Sequence, residues 1–324
     1  MKRLHSLLAG ALLLSAISLT ATAQTPSASA STPETDYYLS TSFHEPADEG
    51  LRLLYSTDGI RWDSIPGTWL APKLGAGILR DPSIRRGPDG TFHLVWTIAW
   101  KGDTGIGYAS SKDLIHWSEQ RRIPVMDHVA DTYSVWAPEL FYDEVKGQYL
   151  IVYTAVVNDG TCTGRRNEHG DYHRLYYVTT RDFTEFSSPR LLYDAGYSCI
   201  DGFIVKRGDG DYVLVAKDNR KANSNLRVAF ARNAEGPYTN PLSRPFTGIF
   251  AEGPSVSRVG DTYYIYYDLY RRHIYGASTT RDFIHFTDVT DQVSFPQGHK
   301  HGTTFRAPAS IVEGLLRAAQ QHGD

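Results

Sequence analysis

Between residues 36 and 300, apolar and polar residues alternate in short runs separated by turn residues, and no stretch has the 3.6-residue period of an amphipathic helix. The segment AEGPSVSRVGDTYYIYYD (residues 251–268) is representative. It predicts a strand, a turn at Gly260-Asp261 and a second strand, because a Gly/Asp pair between alternating apolar runs is a strong local hairpin signal. The same reading applies to residues 85–97, turning at Asp89-Gly90, and to residues 141–154, turning near Gly147. Residues 205–218 turn around Gly208 to Gly210. One residue breaks the apolar pattern in the first example. Glu252 puts a carboxylate at the mouth of an otherwise small and apolar strand.

These hairpins belong to a larger repeat. YSTDGIRWDS (55–64), ASSKDLIHWSE (109–119), VTTRDFTEFSS (178–188), AFARNAEGPYTN (229–240) and ASTTRDFIHFTD (277–288) share small residues, then Asp or a neighbour, then an aromatic. Each unit therefore holds about four strands, which describes the blades of a β-propeller. Repeated sandwiches are the alternative, but they would not place one distinctive residue at the same point of every unit. Aligned on their first strands, the units begin RDPSI (80–84), PELFY (138–142), IDGFI (200–204), EGPSV (252–256) and HGTTF (301–305). The mouth residues on this alignment are Asp81, Glu139, Asp201, Glu252 and His301. The fifth unit has only its first strand at the C-terminus, and residues 36–43 and 51–62 can supply the rest. A ring closed by both chain ends leaves no exposed sheet edge. The expected fold is all-β: a five-bladed propeller of four-stranded blades over residues 36–324. A short C-terminal helix, SIVEGLLRAAQ, would be capped by Ser310 with Glu313.

The first residues change the picture of where the protein works. Lys2 and Arg3, an apolar run from Leu7 to Leu19 and Ala21-Thr22-Ala23 follow the order of a secretory signal peptide. The run is too short to span a bilayer. Residues 1–23 are expected to be a cleaved leader and 24–35 a flexible linker, giving a periplasmic or secreted protein with no membrane insertion after cleavage. Only Cys162 and Cys199 remain, so at most one intramolecular disulfide can form. In a propeller the loop after residues 149–156 meets the entry to the next blade, and a Cys162–Cys199 bridge is expected there. A formal net charge of −3 offers no basic excess for nucleic acid. Aromatic residues make up 12% of the chain, which suits both strands and sugar-binding surfaces. A monomer is expected.

First strands are innermost in a propeller, so the five mouth residues meet in one funnel. Clustered carboxylates repel and destabilise, so four of them around one axis suggest a chemical use. Two carboxyl groups across a pocket suit glycoside cleavage, one protonating the leaving oxygen and the other activating water. A neighbouring negative charge raises the pKa of the acid and helps keep it protonated. Metal catalysis fits less well, because the acids come singly from separate strands without a close ligand run.

With these residues in place, the chain resembles glycoside hydrolase family 43 over nearly all of residues 36–324. The matching segments are ILRDPSI, VWAPELFYD, CIDGFIVK, AEGPSVSRVGDTYYIYYD and GHKHGTTF, in the family's order. The resemblance implies an inverting hydrolase needing no cofactor, with Asp81 as general base, Glu252 as general acid and Asp201 tuning and orienting the acid. Glu139 stands where Asp is commoner and is expected to hydrogen-bond in the pocket. His301 is expected either to hold a structural metal ion on the central axis or simply to be hydrogen-bonded. Trp96, Trp100 and Trp136 are expected on the funnel rim as sugar platforms, with Arg80 and Lys217 as further substrate contacts. The expected substrate is an oligo- or polysaccharide, and the expected activity an exo-acting α-L-arabinofuranosidase on plant polysaccharide side chains. β-Xylosidase and exo-β-galactanase are the alternatives within the family. A sugar-binding propeller without catalysis is the alternative outside it.

Overall fold

The computed structural model describes residues 36–158, 160, 164–240 and 242–322. The expected leader and linker, and Cys162, lie outside these residues. Five antiparallel sheets follow one another along the chain. Blade 1 is Arg80–Arg86, Phe92–Thr97, Ile106–Ser111 and Arg121–Ile123. Blade 2 is Thr132–Asp143, Gln148–Val157, His173–Thr180 and Arg190–Tyr193. Blade 3 has three strands, Cys199–Gly208, Asp211–Asp218 and Asn225–Ala231. Blade 4 is Glu252–Val259, Thr262–Leu269, Ile274–Thr280 and Thr287–Asp288. In blade 5 the C-terminal Thr304–Ala307 pairs with Tyr37–His44, and Leu51–Ser56 and Asp63–Leu70 complete the sheet. Both chain ends thus close the ring, as the repeat predicts. Thr41 and Thr303 exchange two bonds across this closure (Thr41 N to Thr303 O, 3.0 Å; Thr303 N to Thr41 Oγ1, 2.8 Å).

The apolar side chains fall into clusters between successive blades. Val95 and Tyr108 of blade 1 pack with Leu140, Ile151 and Tyr153 of blade 2, and Leu150 and Leu175 of blade 2 with Ile204 and Leu214 of blade 3. Middle strands are therefore covered on both faces, which is why FHLVWT and YLIVYTAVV read as nearly continuous apolar runs. Trp96 belongs to this packing. It is fully buried, and Gly107 faces it across the sheet. A Cβ on Gly107 would lie 2.1 Å from Trp96 Cε2. Gly107→Ala should therefore destabilise the fold by about 1–3 kcal/mol through overpacking. Urea unfolding of the two proteins checks this, and an unchanged midpoint would contradict it.

The repeated Ser/Thr-x-Asp segments all build one turn. In four blades the hydroxyl of Ser56, Ser111, Thr180 or Thr280 accepts the N–H of the third residue on, at 2.8–2.9 Å. The following Asp accepts the next two N–H groups, as Asp58 does from Ile60 and Arg61. In blade 3 the sequence ARNAEGPY lacks this spacing, and the predicted fourth strand is an irregular segment. Even so, Thr239, Ser243 and Phe246 donate their N–H groups to Phe230, Val228 and Leu226, so the edge of Asn225–Ala231 is covered. The C-terminal helix, Ala309–His322, begins one residue before Ser310. Ser310 therefore stands inside the first turn, not at the cap. Val312 and Leu315 bury against blades 5 and 1.

Candidate active site

The first strand of each of blades 1 to 4 enters the funnel through the same β-bulge. Arg80, Trp136, Ile200 and Glu252 pair with Thr97, Thr154, Lys217 and Asp268 on the neighbouring strand. Pairing then slips by one residue and resumes at Ser83, Glu139, Phe203 and Ser255. The residue after the first pair is left-handed in every case: Asp81 (φ 49°), Ala137 (45°), Asp201 (55°) and Gly253 (59°). For the three that are not Gly this conformation costs of order 1–3 kcal/mol and persists only under external restraint. Thr97 supplies part of it, donating its hydroxyl to Asp81 Oδ2 at 2.8 Å and accepting the Ala137 N–H at 2.8 Å.

This register corrects the sequence alignment of the mouths. Asp81 and Asp201 are equivalent, but Glu252 stands one residue earlier and Glu139 two residues later. Glu139 consequently lies deeper on the axis, bonded by Thr303 Oγ1 at 3.0 Å, and lines a cavity of about 30 Å³, room for about one water. It does not line the open pocket. Burial pushes its carboxyl up to about 8, against hydrogen bonds from Ser83 and Thr303 and the charge of Arg85. Glu139 thus hydrogen-bonds in the axial cavity, which Asp81, Asp201 and His301 also line, and not in the open pocket above it.

Above it opens a pocket of about 270 Å³, near the lower end for small-molecule sites. Asp81, Asp201 and Glu252 all line it, with Arg80, Lys217, Trp100, Trp136, Tyr270 and His301. Asp81 is held from both sides, by Thr97 on Oδ2 and by His301 Nε2 on Oδ1 at 3.0 Å. Burial raises its pKa, but the His301 bond and charge, Arg80 and Thr97 outweigh burial and bring it down to about 2. Asp201 is shifted the other way, to about 6. Burial dominates there, with Lys217 and His301 opposing and Glu252 and Asp81 adding. Its Oδ2 accepts the Gly253 N–H at 3.0 Å and so anchors the backbone beside Glu252. Lys217 Nζ reaches Glu252 Oε2 at 2.7 Å and lies 4.9 Å from the centre of the Tyr270 ring. Arg80 Nη1 donates to both oxygens of Glu45 (2.8 and 2.7 Å), and the guanidinium lies 4.0 Å from the centre of the Trp100 ring. Trp136 donates its indole N–H to the Trp100 carbonyl at 2.8 Å, and the two rings stand edge to face. Trp100 is 50% exposed and Trp136 lies on the wall, so both are placed to meet a ligand. Trp96, the third expected platform, points into the blade.

A family model described as a probable glycosyl hydrolase domain, related to glycoside hydrolase family 43, matches residues 34–308. The chain belongs to this family. The family is one of glycoside hydrolases. An α-L-arabinofuranosidase of Bifidobacterium longum subsp. longum is 25% identical over 164 residues, 44% of this chain. The matched region spans 15% of that relative's length. Among solved structures, a thermostable family-43 glycoside hydrolase superposes with a TM-score of 0.53 at 16% identity, covering 72% of this chain and 82% of that one. The Hadza microbial sialidase Hz136 gives 0.53 at 17% identity, covering 75% and 55%. At these identities the two structures speak for the fold alone.

The expected metal position near His301 has a candidate ligand set. Among the described residues, Glu252, Asp268 and His301 bring ligand atoms within 4.8 Å of one another. Each has a charged neighbour, although Asp268 Oδ2 and His301 Nδ1 themselves have no hydrogen-bond partner among the described residues. Lys217 is on Glu252, Lys300 Nζ is 3.1 Å from Asp268 Oδ2, and His301 bonds Asp81. Burial lowers the His301 pKa, but the carboxylates of Asp268 and Asp81 outweigh it and raise it well above the ordinary value; Nε2 contacts Asp81, while Nδ1, 3.7 Å from Asp268 Oδ2, has no hydrogen-bond partner among the described residues. Gly253 permits this packing, since a Cβ there would lie 2.0 Å from His301 Cγ.

Cys199 is buried and has no disulfide partner among the described residues; its expected partner Cys162 lies outside them. Sequence reading missed Glu45, Tyr270 and Asp268. Aligning the second strands of the blades would have found Asp268, since it occupies the position of Lys217.

Proposed function

We propose that this hydrolase is exported and removes terminal α-L-arabinofuranosyl side chains from plant polysaccharide with inversion at the anomeric carbon. The observation that carries the reading is the convergence of Asp81, Asp201 and Glu252 on one small pocket, with Glu252 on the wall it shares with a second cleft. That cleft, about 580 Å³, is lined by His44, Glu45, Glu252, Tyr270, His273, His299 and Lys300. A terminal sugar in the first pocket and the rest of the glycan in the second would put the scissile oxygen beside Glu252. Asp81, kept ionised by His301, is suited to take a proton from water as general base. Glu252 would protonate the leaving oxygen. Asp201 would act on Glu252 through its own charge and through the Gly253 amide. The pocket's small volume favours removal of single residues over cleavage within a chain. The arabinofuranosidase relative supports the choice of sugar, and the leader-like residues 1–23 support export.

Purified protein should hydrolyse nitrophenyl α-L-arabinofuranoside at least about 10-fold faster than the β-xyloside or β-galactoside, the discrimination one sugar substituent can supply. It should also release free arabinose from arabinoxylan. Preference for either other glycoside would replace the proposed activity with that one.

A further inference from the structure

Among the described residues, two line both the pocket and the second cleft: Glu252 and Tyr270. Glu252 is the proposed acid, whereas Tyr270 takes no part in the proposed chemistry. Tyr270 opens the turn between Thr262–Leu269 and Ile274–Thr280, two residues beyond Asp268, which pairs with Glu252. The turn therefore stands at the mouth beside the acid. In blades 1 to 3 the residues at the position of Asp268 are Thr97, Thr154 and Lys217, and two residues beyond them come Ala99, Val156 and Asn219. Ala99 and Val156 are buried aliphatic residues, so among these four positions blade 4 alone presents an aromatic ring. Both ends of that ring are held. Its hydroxyl shares a hydrogen bond of 2.8 Å with the hydroxyl of Ser224, which is buried in the turn between the last two strands of blade 3. The Ser224 carbonyl accepts the N–H groups of Phe250 and Ala251 (2.7 and 3.1 Å), the residues that lead into Glu252. Phe250 meets the Tyr270 ring edge to face with centres 5.9 Å apart, and Lys217 Nζ lies 4.9 Å from the Tyr270 ring centre. The half-buried ring is thus oriented before any ligand arrives, and little rotamer freedom is left to lose on binding.

We propose that Tyr270 is a specificity-determining residue: it packs against the first sugar ring on the leaving-group side of the scissile bond, so that the enzyme selects glycosides whose leaving group is itself a pyranose. The proposal rests on the reading of Glu252 as the acid and of the second cleft as the place of the remaining glycan. A pyranose carries C–H groups on its faces and hydroxyls around its edge. The C–H face suits an aromatic ring. The hydroxyls suit Glu45, whose carboxylate lines the same cleft, is 50% exposed, and keeps lone pairs beyond those that Arg80 Nη1 occupies. Binding energy gained on this ring, one bond away from the reacting centre, holds the leaving oxygen against Glu252. The alternative is that Tyr270 only supports Lys217 and, through it, Glu252. That role would serve every substrate alike, whereas a leaving-side platform serves only substrates with a ring to place there.

Two substrates separate these roles: methyl α-L-arabinofuranoside, and xylotriose bearing one α-L-arabinofuranosyl branch. Both release an alkoxide and so need the Glu252 proton, but only the second has a sugar ring on the leaving side. The intrinsic difference between the two leaving groups is the same in every variant. The native enzyme should favour the branched oligosaccharide in kcat/KM by about 10-fold or more, the worth of one good apolar contact. Tyr270→Ala should remove most of that preference, mainly through KM for the oligosaccharide. Tyr270→Phe loses the tie to Ser224 but keeps the ring, and should keep the preference. A native ratio near one would overturn the proposal whether or not Tyr270→Ala folds. Equal loss on both substrates in Tyr270→Ala, or a ratio in Tyr270→Phe as low as in Tyr270→Ala, would also take the ring out of leaving-group recognition. If the native protein prefers the xyloside or the galactoside, the methyl glycoside and oligosaccharide of that sugar replace the arabinosides. The proposed activity would then fail while the test of Tyr270 stands.

Discussion

Asp81→Asn should lower kcat/KM by about 10²–10⁴ on every substrate, whatever its leaving group, the span attributed to a general base. The substitution keeps the size of the side chain but removes its proton affinity. It also disturbs both contacts of the carboxylate, since Asp81 accepts from Thr97 on one oxygen and from His301 on the other. An amide has one acceptor and one donor end, so one of those two donors must face an NH₂ group. The left-handed backbone at residue 81 remains tolerable, because Asn adopts that region about as readily as Asp. The fold should therefore survive, and circular dichroism with a melting curve checks that it does. Equal loss on aryl and sugar leaving groups is the diagnostic result, since water must be activated for both. A variant retaining a tenth of wild-type activity would remove Asp81 from the role of base.

The parts of this molecule that sequence pattern predicts well are those set by neighbours along the chain. Asp-Gly hairpins and Ser/Thr-x-Asp turns are closed by bonds spanning two to four residues, so their spelling is visible locally. Ring closure was legible for a similar reason, because a unit lacking three strands has only the N-terminal segment to complete it. The bulges were not legible. One inserted residue per inner strand exchanges which side chains face the axis, and a one-residue slip moves every later side chain to the other face. That slip carries Glu139 past the pocket into the axial cavity. Strand alternation also separates Thr97, which faces the mouth, from Trp96, which faces the blade core. The charges that surround the acids come from second strands and from residues far along the chain, as with Lys217 on Glu252 and Glu45 on Arg80. Their partners are fixed by the stacking of blades, and no local pattern announces them.

Glu252→Gln should divide substrates by leaving group. A sugar alkoxide is a poor leaving group and needs a proton as the bond breaks, so hydrolysis of the natural glycan should fall by about 10²–10⁴. A nitrophenolate departs with little help, and the corresponding aryl glycoside should lose far less. Glutamine preserves the length of the side chain, and its carbonyl oxygen can still accept from Lys217 Nζ, 2.7 Å from Glu252 Oε2 in the native protein. The strand start is held independently by the Gly253 N–H on Asp201, so the pocket should keep its shape. KM should then change little, and the loss should appear in kcat for the glycan. Proton NMR of the first-formed sugar should show an inverted anomer in the native enzyme, consistent with one displacement by water from the Asp81 side. A variant equally slow on glycan and aryl substrates would place the acid elsewhere, and Asp201, already shifted up to about 6 by burial, would be the next residue to test.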